Sequence, residues 1–373
     1  MSPDHRRHFF DHYEEAREAF RKAAGRAGAV VSGRAIAARG RRGGELTIDT
    51  AYLGPGEPDR VLAVSSGIHG VEGFAGSAIQ HQLLTEQLSG LDLPPDTGLL
   101  LVHAINPYGF SELRRVNENN VDLNRNFLRH PEDHPESPDY AELFQAINPE
   151  EIDPASEESS RKTLFAFAEA HGFPRLQAAL TAGQYRWPEG VQFGGIRDED
   201  SNRLLREIAR EETRGASSVA WIDFHTGLGE SGNYVLISDR PPDDPAYQRG
   251  RRWFGDAVES TLSGDSVSAV LNGTLEGGLL DGLPEGVELT TFGAEFGTHE
   301  PFRVFWAMRQ DNWLEHHGDP DTPLGRTIKQ EIVEVFRPND PVWMNRVLEG
   351  GARILEQARN GLTGSARNRA TDA

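Results

Sequence analysis

No cysteine occurs in the 373 residues, which excludes disulfides, thiolate metal sites and a cysteine nucleophile. Lysine is almost as scarce, present only as Lys22, Lys162 and Lys329. None of them follows a glycine-rich loop, so a Walker-type nucleotide site is excluded as well. No stretch approaches the ~18 uninterrupted apolar residues of a membrane span. The opening MSPDHRRHFFDHYEEA has no apolar run and carries acids early, unlike a signal or transit peptide, so a cytoplasmic protein is expected. There is no repeat at a solenoid period and no low-complexity linker, so one domain over residues 1–373 is expected. Cations are outnumbered: 38 basic residues face 58 acidic ones, for a net charge of −20. Such a surface repels phosphate backbones and anionic lipid, so neither nucleic acid nor a membrane is an expected partner.

What is present alternates in type. Apolar runs at residues 60–67, 98–105 and 218–225 read as strands covered on both faces, and 46–53, 233–238 and 287–297 as further strands. Helical periodicity marks residues 3–24, 73–88, the stretch up to His171, 201–212, 245–262 and most of the chain from about 300. The acidic, proline-rich segment 130–156 reads as a surface insertion. Strands alternating with helices imply an α/β sandwich around a central sheet. Ligand sites in such folds lie at the carboxyl ends of the strands.

The run at 60–67 exits into SSGIHGVEG, which spaces His69 and Glu72 as H-x-x-E among glycines. Imidazole and carboxylate both suit Zn²⁺, and the glycines let the backbone turn so that the two converge. Glu72 equally suits the first turn of a helix, where negative charge favours the dipole. The run at 218–225 ends on His225, in IDFHTG. Alone it would pass for a core histidine; with His69 and Glu72 it completes the protein ligands of a catalytic zinc site with one open position. Glu295, between Gly293 and Gly297 in GAEFG, is placed for general base and then acid work, or is an ordinary strand-end acid.

Between these lies NPYGFSELRRVNENNVDLNRNF, residues 106–127, with no periodicity of either kind. Arg115 suits an oxyanion beside a metal. Asn124 and Arg125 suit a substrate carboxylate. Asp122 suits the far N–H of a metal-bound imidazole. Asx turns would explain the asparagines without any ligand, though not a cluster of arginines in so acidic a chain. GLGESG, residues 227–232, has dinucleotide spacing, but a strand rather than a helix follows it.

Taken together, H-x-x-E, the arginine loop, His225 and Glu295 resemble the zinc carboxypeptidase superfamily. SSGIHGVEGFAGSA, RRVNENNVDLNRNFL, AGQYRWPEGVQFGG, FHTGLGESG and AEFGTHEP are similar, more closely, to a bacterial branch near the succinylglutamate desuccinylase and aspartoacylase group. The resemblance implies a three-layer sandwich with a mixed, twisted sheet of about eight strands and helices on both faces. It implies one zinc ion held by His69, Glu72 and His225, with Glu295 as general base and acid. Arg115 would polarise the scissile carbonyl, with Arg114 as its adjacent alternative, and Asn124 and Arg125 would bind a carboxylate. The implied substrate is a small peptide or an N-acyl amino acid. Digestive-type carboxypeptidases close over substrate with a tyrosine that has no aligned counterpart here. Tyr234 and Tyr247 lie in the right interval of the chain, and Tyr185 outside it.

Overall fold

The structure, a computed structural model, describes residues 5–264 and 266–371. Its strands are β1 (Val30–Arg39), β2 (Glu45–Leu53), β3 (Arg60–Ser66), β4 (Thr97–His103), β5 (Ser218–Ser231), β6 (Tyr234–Ser238), β7 (Val258–Ser260) and β8 (Glu288–Gly297). They form an eight-stranded sheet in the order β1-β2-β4-β3-β5-β8-β6-β7. The central strands β4, β3, β5 and β8 run parallel. The pairs β1–β2, β2–β4 and β6–β8 are antiparallel, which makes the sheet mixed.

Burial of the centre follows from side chains alternating across a strand. Every residue of β3 and β4 is buried. Leu62, Val64, Leu99, Leu101, Ile222 and Phe224 face one core, with Phe20, Ala78 and Trp343 from the helices Tyr13–Arg26, Gly73–Gln82 and Pro341–Thr371. Val61, Ala63, Leu100, Val102 and Trp221 face the other, with Leu205 and Leu279 from the helices Asp200–Glu212 and Leu275–Gly282. Each fully buried Leu or Phe contributes roughly 1.5–3 kcal/mol, so the paired cores fix the strand register.

That register places the chemistry. The chain passes from β3 to β4 on one side and then from β4 to β5 on the other side of β3, which opens a crevice at the carboxyl ends. Asp223 and His225 follow Trp221 at spacings of two, so all share one face of β5. The parallel register sets His225 directly opposite Glu295 on β8.

Several expected elements are drawn differently. The helix expected over 3–24 is a 3-10 turn, His5–His8, and then a helix from Tyr13, because Phe9 turns into the core against Trp343; Pro3 lies outside the described residues. The helix expected over 245–262 ends at Phe254, and the chain re-enters the sheet as β7. The segment 130–156 carries the helix Pro138–Ile147 and the start of Pro154–His171. Their Tyr140, Leu143 and Leu164 pack on Phe305 and Trp306 of the helix Pro301–His317. Buried Arg309 pins this layer, donating to Glu157 at 2.6 Å and to Ser160 at 2.7 Å. Beyond residue 300 the chain is helical, as Pro301–His317, Pro323–Phe336 and Pro341–Thr371. No described helix is long and apolar enough to cross a membrane.

Candidate metal centre

The loop after β3 is stapled to the arginine loop by backbone bonds. Gly70 N–H donates to the Arg115 carbonyl at 3.1 Å, and Val71 N–H to that of Arg114 at 2.9 Å. A Cβ on Gly70 would sit 2.1 Å from the Gly109 carbonyl carbon, so only glycine allows the two backbones this close. The turn aims His69 and Glu72 at His225. All three are buried, and each offers an atom within 4.8 Å of the others.

Both imidazoles turn Nδ1 toward the Glu72 carboxylate, His69 at 3.0 Å and His225 at 3.3 Å. The His69 Nδ1 is buried yet has no hydrogen-bond partner. Buried nitrogens are almost always satisfied. An orphan lone pair beside a carboxylate and a second imidazole is the signature of a cation site, and this donor set fits a divalent metal. Each far nitrogen meets a carboxylate. His69 Nε2 lies 3.0 Å from Asp122, and His225 Nε2 lies 2.7 Å from Asp223, the latter off the axis of a regular hydrogen bond.

Asp223 is the residue that the sequence analysis passed over. D-x-H on a strand puts both side chains on one face, and IDFH shows that spacing. Its other oxygen accepts from Ser65 Oγ at 2.6 Å, and Ser65 accepts from the Trp221 indole at 2.8 Å. Carboxylates behind metal-ligating imidazoles fix ring orientation and raise ligand basicity. If a divalent metal is held here, Asp223→Asn is therefore expected to weaken its binding by ~10- to 100-fold in a competition titration of added zinc against a chelator. Unchanged affinity would contradict this placement.

Electrostatics at the centre are tightly coupled. Burial, the largest influence, pushes the Glu72 carboxyl up, but His69, His225 and Arg115 together hold it below the carboxylate range. Burial likewise pulls the His225 imidazolium down, and Asp223 and Glu72 more than reverse it. Glu295 is pushed up to about 7 by burial and then by the charge of Glu72. One of its oxygens accepts from Leu228 N–H at 2.8 Å. Glu295 lines the same cavity as His69, Glu72 and His225.

The arginine loop divides its labour. Arg115 donates to Asp122, and its Nε lies 3.4 Å from Glu72, so it faces the cluster. Arg114 turns away. It donates to Asp311 at 3.1 Å and to Asn120 at 3.0 Å, 1% exposed, and it is not among the residues lining the cavity. Breaking such a buried pair costs ~3–5 kcal/mol, so Arg114 is a structural ion-pair partner rather than a substrate contact. Asn124 accepts from Leu275 N–H at 2.8 Å and leaves its N–H₂ to the cavity. Arg125 also lines the cavity, held by the Thr181 carbonyl at 2.7 Å and the Asn124 carbonyl at 2.8 Å. Asn106 and Asn117 do what Asx turns predict, accepting from the backbone N–H groups of Gly109 and of Asn119 and Val121, whereas Asn126 reaches across the fold to accept from the Glu199 N–H.

The cavity holds about 150 Å³, and Thr181, Leu271 and Thr274 form further wall, with Asp239 and Glu276 also on it. No tyrosine is among its described lining residues. Tyr185 donates instead to the Arg125 carbonyl at 2.6 Å, Tyr234 packs on Phe296, and Tyr247 is in the core. Residues 227–231 lie within β5, so GLGESG opens no helix.

A sequence-family profile described as "Protein of unknown function (DUF2817)" matches residues 9–350. The chain belongs to this family. No curated protein matches it. In shape, this DUF2817 member is similar to bovine thrombin-activatable fibrinolysis inhibitor, solved in complex with tick carboxypeptidase inhibitor. That match has a TM-score of 0.51 at 11% identity, over 96% of this chain and 99% of the other. It is also similar to carboxypeptidase A from Helicoverpa armigera, with a TM-score of 0.45 at 12% identity over 92% and 74% of the two chains. The succinylglutamate desuccinylase from Chromobacterium violaceum matches with a TM-score of 0.37 at 16% identity over 86% and 74%. The first of these carries the fold, a carboxypeptidase-like α/β sandwich, as the sequence resemblance implies.

Proposed function

We propose that this DUF2817 member is a zinc-dependent hydrolase of an amide bond next to a carboxylate-bearing group, carboxypeptidase-like on short peptides. The observation that carries the reading is the convergence of His69, Glu72 and His225 on one point, with Glu295 opposite His225 in the register. A zinc ion held there would supply Lewis-acid polarisation of a carbonyl and of water. Glu295 takes a proton from the attacking water and passes it to the leaving amine nitrogen. Arg115 donates to the carbonyl oxygen as negative charge develops on it. Asn124 N–H₂ and the Arg125 guanidinium hold a substrate carboxylate, which sets the register of the scissile bond.

A second reading, deacylation of an N-acyl amino acid, is favoured by the small cavity, among whose described lining residues there is no tyrosine. At about 150 Å³ it is below the ~300–1,000 Å³ of sites for drug-sized ligands, so it admits a residue-sized group. The test is a panel of dipeptides and N-acyl amino acids offered to zinc-loaded protein, with a chelated control. Hydrolysis of one class, lost on chelation, is expected. No turnover of either class with zinc bound would overturn the reading.

A further inference from the structure

We propose that Gln192 is a catalytic residue of this cavity, its amide N–H₂ donating to the same substrate carbonyl oxygen that Arg115 faces. The inference deepens the hydrolase reading and rests on it. Gln192 belongs to AGQYRWPEGVQFGG, a stretch to which the metal chemistry assigns no part.

Its backbone is the first observation. Gln192 has φ +62°, in the left-handed region that residues other than glycine, asparagine and aspartate seldom enter. Such conformations persist where the surroundings over-determine them, and they gather at active sites. Here the surroundings do. Gln184 N–H donates to the Gln192 carbonyl at 3.0 Å, Gly194 N–H to the Gln184 carbonyl at 2.8 Å, and Asp122 N–H to the Phe193 carbonyl at 2.7 Å. Val191 and Phe193 are buried on either side. The twist between them sends the Gln192 side chain into the cavity.

The amide is the second observation. Gln192 is 5% exposed, and its Oε1 accepts from Arg115 Nη1 at 3.2 Å. A guanidinium only donates, which fixes which end of the amide is oxygen. The N–H₂ on the same carbon has no protein partner among the described residues and faces the cavity beside the guanidinium. A donor without a protein partner, opening onto the cavity from a side chain that is otherwise buried, is free to meet an acceptor on the ligand. Guanidinium and amide thus form a two-donor cradle for a carbonyl oxygen that gains charge during the reaction.

Two variants separate this from a purely structural role. Gln192→Gly relaxes the backbone, since glycine adopts positive φ freely, but removes the donor. Gln192→Glu keeps an acceptor for Arg115 and removes the donor. Zinc-loaded proteins are assayed on N-acetyl-glycyl dipeptides and N-acetyl amino acids, and kcat and KM are taken on the compound that wild type turns over fastest. Melting temperature and zinc content are measured alongside. Both variants are expected to lose ~100- to 1,000-fold in kcat with KM within a few-fold, zinc content unchanged, and the melting temperature of Gln192→Gly equal to or above wild type. Wild-type kcat in either variant would overturn the role of the donor and leave the hydrolase reading standing. Failure of wild type on every compound would overturn both.

Discussion

Glu295→Gln is expected to lower kcat by ~100- to 10,000-fold while zinc content and melting temperature stay at wild-type values. Glutamine keeps the shape and can still accept the Leu228 N–H that Glu295 now accepts at 2.8 Å. What it cannot do is take a proton and return it. The fold should not suffer, because burial and the Glu72 charge both act against an ionised Glu295. A neutral amide in that place removes a repulsion. KM should move little, since the carboxylate grip proposed for Asn124 and Arg125 is untouched. Steady-state kinetics on whichever compound wild type hydrolyses, with elemental analysis of the same sample, reads all of these. Wild-type turnover in the variant would mean that Glu295 moves no proton, and zinc binding without catalysis would then become the better account.

His225→Ala is expected to abolish stoichiometric zinc binding and, with it, all hydrolysis. The loss should exceed the ~10- to 100-fold expected for removing a partner behind a ligand. It should also destabilise the protein. The imidazole is buried between two carboxylates, its Nδ1 3.3 Å from Glu72 and its Nε2 2.7 Å from Asp223. Removing it takes one partner from each carboxylate and leaves Glu72 with His69, Arg115 and the Thr226 N–H and Asp223 with Ser65, so a loss of ~1–3 kcal/mol is expected. Thermal unfolding and dialysis against zinc test the two effects separately. A variant that retains one zinc per chain would remove His225 from the set.

How much of this was legible in the sequence depended on what each residue has to do. The strands β3, β4 and β5 showed as apolar runs because both their faces are buried, and their ends located His69 and His225. The edge strand β1 was silent, because only Ile36 in it is buried and no apolar alternation results. The strand β7 is three residues at the tail of a helical pattern, visible only once its pairing with β6 is known. Within the arginine loop, spacing could not separate Arg114 from Arg115. Their directions are decided by Asp311, distant in sequence, which takes one, and by Asp122 and Glu72, which take the other. Asp223 is readable from D-x-H on a strand, which places it on the face of His225. The left-handed backbone of Gln192 has no sequence signal, since glutamine has no preference for it.

The central claim is that a zinc ion is ligated here through His69 Nδ1, Glu72 and His225 Nδ1. Anomalous scattering at the zinc edge from crystals of zinc-loaded protein tests this most directly. The account predicts one strong peak at ~2.0–2.2 Å from both Nδ1 atoms and the Glu72 carboxylate, with Asp122 and Asp223 behind the rings. A peak elsewhere, ligation through Nε2, or no peak at saturating zinc would contradict it.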